Sequence, residues 1–467
     1  MRGRPPLPAG PYLVVGLARS GVAAAQALRA RGLAVIGADA GRPPAAGELE
    51  RAGVEVHLGC EPLALLARAK AVIKSPGVPA DAPLVAGARE RGLTLLGELE
   101  LAWRMLPCEF LAVTGTNGKT TTTELIGHLH RTAGLPVAVA GNVGRALSGL
   151  ALPGAMPTGP APTVVCEASS FQLEDAIDFA PEAAVLLNLT PDHLDRHGSL
   201  EAYRAAKLRI FARQGPEDVA VLPAGLELRP VEVGGAGMRA RTVRFGAPAG
   251  EGSVYAEGGL LRCEGLEEPL LALEELALRG AHNVENAMAA AAVCLARGVG
   301  VEAVRAGLRD FAGVPHRLEE LGRRDGLLYV NDSKATNVAS TLVALRAFGR
   351  PGPRPAGESG AGRESVIHLI LGGQGKGQDF TPLRAELERS ARAVYLIGED
   401  APAIADALAG IAPAIEMCHT LERATRAAAA AAAPGDVLLL SPGCASFDQF
   451  ADFEARGDRF REMFAAS

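Results

Sequence analysis

The sequence predicts three consecutive α/β domains, each a largely parallel sheet flanked by helices. Three observations carry this. Short apolar runs alternate with helical stretches along the whole chain. A glycine-rich phosphate-type loop, TGTNGKTTT, follows one of those runs at 114 to 122. Finally, 467 residues are too many for one hydrophobic core. The expected boundaries are residues 1–97, a Rossmann-like domain; 98–313, a P-loop-type ATPase domain; and 314–467, a second Rossmann-like domain.

In the first domain YLVVG (12–16), LAVIGAD (33–39) and AVIKSPG (71–77) are the strands, and a helix starts near Gly21. The second series runs through FLAVTG (110–115), VAVAG near 137, TVVCEAS at 163 and AAVLLNLT at 183, then ends in an Ala-rich helix after Asn286. The third begins after PHR (315–317), with LLYVNDS, VIHLILGG, AVYLIGE and DVLLLSPG as strands. The Pro, Gly and Ser-rich stretch 350–365 reads as a surface loop. The Ala run at 427–433 reads as helix, because LERATR leads into it and Pro-Gly stops it.

Composition excludes several classes. With 48% apolar and 21% charged residues the chain is an ordinary soluble globular protein. A net charge of -6 gives no reason to bind a nucleic-acid backbone. The seven cysteines have no CxxC pair and no regular spacing, which points away from zinc or a disulfide framework and toward a reducing compartment. No apolar run has the length of a membrane span and the N-terminus lacks a signal-type segment, so a cytoplasmic location and no membrane contact are expected. Only six of the 47 Lys and Arg residues are lysine: Lys70, Lys74, Lys119, Lys207, Lys334 and Lys376. Lysine alone offers a modifiable amine, so the retained lysines are candidates for chemistry.

In TGTNGKTTT the strand, loop and helix start place backbone N–H groups where phosphates sit. Lys119 would reach the terminal phosphates and the Thr120 hydroxyl would ligate Mg²⁺. Val113 stands where the common P-loop has its first glycine, so the loop is the shorter GTNGKT. The N-terminal GLARSG, Gly16 to Gly21, also follows a strand, and Asp39 ends the next one at the distance of a ribose-binding acid. Ala18 replaces the middle glycine of a dinucleotide fingerprint, which leaves two readings open: a nicotinamide-type dinucleotide site or a tight strand-to-helix turn. Glu167 at a strand end, with His193 and Lys207 downstream, forms a possible Mg²⁺ and phosphate cluster.

The motifs together resemble the Mur ligase family over nearly the whole chain. GTNGKTT, EASSFQL, DHLDRHGS, KLRI at 207, GAHNVENAMAA, PHRLE, NDSKATN, GGQGKGQDF and LSPGCASFDQF stand in the family's order. EASSFQL and CASFDQF are similar to its D-glutamate-adding branch. A DNPR motif of the diaminopimelate- or lysine-adding branch is absent. The resemblance implies ATP-dependent addition of D-glutamate to UDP-N-acetylmuramoyl-L-alanine through an acyl phosphate, in peptidoglycan precursor synthesis, with ATP and two Mg²⁺ ions and a monomeric enzyme. It places ATP at Gly115, Thr116, Asn117, Gly118, Lys119, Thr120 and Thr121, with Asn283, Asn286, Arg317 and Asp332 across the interface of the second and third domains. Lys119, Glu167, His193 and Lys207 would be catalytic, and Thr120, Glu167, His193 and a carbamylated Lys207 would surround the metal. Gly16, Arg19, Ser20, Gly21, Asp39, Gly77, Asn142 and Gln172 would bind the UDP substrate. Lys334, Thr336, Lys376, Ser446, Phe447 and Phe453 would bind D-glutamate.

Overall fold

The first sheet is five parallel strands in the order β3-β2-β1-β4-β5: β1 (Tyr12–Val15), β2 (Val35–Asp39), β3 (Glu55–Leu58), β4 (Ala71–Lys74) and β5 (Thr94–Gly97). The structure is a computed structural model that describes residues 3–60, 62–228, 237–278, 280–349, 366–375 and 377–466. β1 and β4 are buried throughout because helices cover both faces, which is why they read as uninterrupted apolar runs. The strand order reverses between β1 and β4. The loops after these two strands therefore open a crevice at the carboxyl edge, where ligands of such sheets bind.

The second sheet has nine strands in the order β14-β13-β12-β11-β10-β9-β6-β8-β7. Its core strands are β6 (Glu109–Thr114), β7 (Val137–Gly141), β8 (Thr163–Glu167) and β9 (Ala183–Leu186). β10 (Val219–Pro223) and β11 (Arg241–Phe245) extend it in parallel, and β12 (Val254–Glu257), β13 (Leu260–Cys263) and β14 (Leu271–Ala272) finish it, with β12 to β14 antiparallel. The reversal here falls beside β6, so the carboxyl ends of β8, β6 and β9 lie side by side. Trp103, Phe110 and Phe179 pack edge to face in the core beneath. The Ala-rich helix Ala281–Ala296 is buried along most of its length and packs on the helix Lys119–Thr132. Small side chains there let the two backbones approach closely.

The third sheet runs β15-β16-β20-β17-β18-β19: β15 (Glu319–Arg324), β16 (Leu327–Asn331), β17 (Ile367–Gly372), β18 (Ala391–Ile397), β19 (Ala414–His419) and β20 (Val437–Leu440). Only β15 is antiparallel. The carboxyl ends of β16, β20 and β17 are neighbours, which gathers three loops at one edge. The Ala run lies in the helix Leu421–Ala431, whose start Thr420 caps by accepting from the Arg423 N–H. The stretch 350–365 lies outside the described residues.

The chain divides into two compact units, Met1–Phe311 and Ala312–Ser467. The first unit contains two of the three sheets, a coarser division than the three domains expected from sequence. Dense contact between the helix Glu98–Met105 and the turn Leu147–Ala151 helps join the first two sheets.

Candidate active site

Gly115 and Gly118, with φ of 156° and 82°, bend the chain after β6 into a loop that feeds the helix Lys119–Thr132. A Cβ on Gly118 would fall 2.3 Å from Asn286 Oδ1, so glycine is required for the loop to seat against the helix Ala281–Ala296. Asn286 Oδ1 also accepts from Thr122 Oγ1 at 3.2 Å, and Asn286 Nδ2 donates to Asn283 Oδ1 at 3.1 Å. From the other side Asn188, just past β9, accepts the Thr116 and Asn117 N–H groups on its Oδ1 at 3.0 and 2.9 Å. Thr116 Oγ1 meets the Tyr203 hydroxyl at 3.0 Å and donates to Thr190 O at 3.0 Å. The loop is thus fixed by side chains 70 or more residues away in sequence. The N–H groups from Gly118 to Thr121 open the helix at its positive end, where a helix leaves N–H groups without partners within it and an anion is favoured.

Two lysines converge on this loop. Lys119 Nζ donates to Gly115 O at 3.0 Å and Thr116 O at 2.9 Å, while Lys207 Nζ donates to the same Gly115 O at 2.7 Å. Lys207 is 2% exposed, with its Nζ 4.6 Å from the Tyr203 ring centroid. Burial, reinforced by the Lys119 charge, pulls its amine down to about 7, against the opposing pull of Asp192 and Glu167. The amine can shed its proton near neutral pH.

Glu167, buried at the end of β8, accepts from Asn142 Nδ2 at 2.9 Å through Oε1 and from Asn142 N at 3.0 Å through its backbone carbonyl. His193 is exposed, in a left-handed conformation with φ 51°, its ring 4.9 Å from Phe171. Phe171 also stacks on His197, whose Nε2 lies 3.0 Å from Ser170 Oγ, and Arg196 sits 4.3 Å over its face. Burial pulls the His197 imidazole down. Among the described residues no three His, Cys, Asp or Glu side chains are grouped to hold a metal by themselves. The donor set suits Mg²⁺, a hard ion that takes one or two protein oxygens and completes its shell with phosphates and water.

At the first sheet Gly21 allows the turn to close: a Cβ there would lie 1.8 Å from Gly16 O. Ser75 Oγ donates to that same carbonyl at 2.7 Å, and Gly77 beside it is exposed. Both Asp39 oxygens hold backbone, Oδ2 taking the Leu17 N–H at 2.6 Å and Oδ1 the Gly41 N–H at 2.7 Å. The carboxylate braces the turn. Arg19 donates to Asn142 O at 2.8 Å, carrying the crevice of the first sheet to the second, and Ser20 is half-buried beside it. Gln172 spends its carbonyl oxygen on a capping box with Ser169, leaving its amide nitrogen outside that box.

In the second unit Asp332 is fully buried, accepting from Leu318 N at 3.1 Å and Ser441 Oγ at 2.8 Å. Burial pushes its carboxyl up to about 6, opposed first by the nearby Arg317 charge. Lys334 Nζ lies 5.8 Å from the Phe453 ring, and Ser333 Oγ donates to Phe453 O at 2.8 Å. Ser446 is buried, Thr336 is half-buried and Phe447 is 64% exposed. Lys376 lies outside the described residues.

Three family models match in order: the Mur ligase MurD-like N-terminal domain over residues 11–97, the Mur ligase middle domain over 113–294, and the Mur ligase glutamate ligase domain over 316–444. A protein of Pelotomaculum thermopropionicum named UDP-N-acetylmuramoylalanine--D-glutamate ligase is 41% identical, with 97% of this chain and 96% of the relative covered. The chain belongs to the Mur ligase family. A like-named protein of Anaeromyxobacter dehalogenans is 44% identical, covering 96% of each chain. Among solved Mur ligases, the UDP-N-acetylmuramate-alanine ligase of Thermotoga maritima shares the fold at a TM-score of 0.59 and 21% identity, with 97% of this chain and 99% of that one covered.

Asn188, Tyr203, Phe171, Arg196 and His197 were not singled out from sequence, although most lie inside the quoted DHLDRHGS and EASSFQL blocks. Their role is to hold loops and rings, and single side chains with such roles leave no spacing signal.

Proposed function

We propose that this protein joins D-glutamate to UDP-N-acetylmuramoyl-L-alanine at the expense of ATP, in the cytoplasm, during peptidoglycan precursor synthesis. The observation that carries the reading is the convergence, at one strand-end crevice, of the GTNGKTT loop, buried Glu167 and a lysine amine drawn toward neutrality. The names of the relatives add the acceptor. In the reaction an alanyl carboxylate oxygen attacks the γ-phosphorus and ADP departs, leaving an acyl phosphate. The D-glutamate nitrogen then attacks the acyl carbon, phosphate leaves and the amine gives up a proton.

Lys119 and the N–H groups opening its helix would bind and orient the triphosphate, and their fixed positive charge favours the transferring phosphoryl group. Mg²⁺, when bound, would supply further charge neutralisation, with Thr120, Glu167, His193 and the carbamate form of Lys207 as its holders in a two-ion site. As a protonated amine Lys207 could not serve. Asn283 and Asn286 shape the loop, and Arg317 and Asp332 are proposed nucleotide contacts. Gly16, Arg19, Ser20, Gly21, Gly77, Asn142 and Gln172 would receive the UDP-linked substrate, with Asp39 bracing the turn beneath them. Lys334, Thr336, Lys376, Ser446, Phe447 and Phe453 would receive D-glutamate, two carboxylate contacts being needed to tell it from its mirror image.

ADP release measured with the UDP-linked substrate and a panel of D-glutamate, L-glutamate, L-alanine and diaminopimelate tests this. Release should depend on D-glutamate, and Lys119→Ala should lower it by about a hundredfold or more in a folded protein. Turnover with another amino acid but not D-glutamate would overturn the acceptor assignment.

A further inference from the structure

Arg456, on the helix Phe453–Ala466, is 1% exposed. Its guanidinium makes four hydrogen bonds, none to a carboxylate: Nε to Ser333 Oγ at 3.0 Å, Nη2 to Ser333 O at 2.8 Å and Cys444 O at 3.0 Å, and Nη1 to Ala445 O at a weaker 3.4 Å. A buried cation satisfied only by neutral acceptors is costly, and hydrophobic residues of similar volume would pack there at less expense. Burial pulls even this strong base down to about 10.

Its acceptors explain the arrangement. Ser333 follows β16, Cys444 and Ala445 follow β20, and Ala445 exchanges two backbone bonds with Gln374, which follows β17, at 2.9 and 3.0 Å. One planar fork therefore ties together the loops after β16 and β20, and reaches the loop after β17 only through the Ala445 backbone. A peptide plane points its carbonyl and its N–H in opposite directions, so holding Ala445 O turns the Ser446 N–H away from the guanidinium. The charge stays beneath the loops, with Asp448 and Asp332 close enough to offset part of it.

We propose that Arg456 is a positioning residue of the acceptor amino-acid site, setting the strand-end loops that receive a dicarboxylate. The inference rests on the proposed D-glutamate reading. Lysine would keep the charge and lose the fork, whereas methionine would lose both. In the full-length protein, Arg456→Lys and Arg456→Met should raise the KM for D-glutamate by about tenfold or more, the methionine variant further, while the KM values for ATP and the UDP-linked substrate stay within about twofold. Hydrogen exchange should quicken at 333–336, 373–375 and 444–447 and not in the other loops. An unchanged D-glutamate KM in either folded variant, an equal rise for all three substrates, or loss of folding in both variants would overturn the proposal. Wild-type protein that releases no ADP with D-glutamate would instead remove the reading beneath it.

Discussion

An amine whose ordinary pKa is 10.5 is buried beside a second lysine and drawn down to about 7. Near neutral pH such an amine is about half unprotonated, against roughly one part in a thousand or fewer for an exposed lysine. Only the unprotonated form adds to CO₂, and the product is an anion that donates oxygen. Arginine cannot follow this course. Lys207→Arg should therefore fold yet lose phosphate release by about a hundredfold or more, and Lys207→Ala should regain part of it with acetate. Labelled bicarbonate should give a carbamate NMR signal that requires Lys207 and grows from about pH 6 to 8. A fully active arginine variant would contradict this. The sign for stability is the same: between about 7 and 10.5 the unfolded chain binds the extra proton, so this group's contribution rises with pH across that window and is flat below it. Lys207 was legible because lysine is rare in this chain. Arg456 was not, being one arginine among many, and its meaning lies in the backbone carbonyls it reaches.

Lys74, the last residue of β4, shows the same contrast between elements. It is fully buried, 2.6 Å from Asp175 and 3.2 Å from Glu174, which in turn pairs with Arg196. The pair joins the first sheet to the segment following EASSFQL. Removing one partner of a buried pair strands the other, so Lys74→Met should cost about 3–5 kcal/mol in urea unfolding. Adding Asp175→Leu should recover most of that loss; a double variant no better than the single would mean the pair is not the determinant. The sequence marks the apolar strands well, and β1, β2, β4, β6 to β9, β16 to β18 and β20 all coincide with expected runs. The buried apolar strand β10 was missed outright, and β11 to β14 are poorly marked because strands such as Arg241–Phe245 and Val254–Glu257 are short, with charged and exposed positions among the apolar ones. In GLARSG, Gly21 is required for the helix to close on the turn, since a Cβ there would lie 1.8 Å from Gly16 O.

At the scale of the molecule, residues 312–467 carry a sheet with two buried apolar clusters of their own, one on each side. Expressed alone, this segment should unfold in one cooperative transition with matching near- and far-UV signals; a non-cooperative melt would show that it depends on the rest of the chain. The α/β class and the order of sheets were legible because strand and loop motifs are local. The grouping into two units was not, because it depends on contacts such as those between the helix Glu98–Met105 and residues 147–151. The nucleotide loop has a non-local dependence of its own, with a consequence in time. Thr122 and its partner Asn286 are 164 residues apart, and Asn286 also fills the place beside Gly118. On a ribosome that interval lasts roughly 10 to 30 s. The growing chain thus displays the GTNGKTT motif long before it can close the loop around it, and the proposed capacity to hold ATP arrives late in synthesis, with the helix that begins at Ala281.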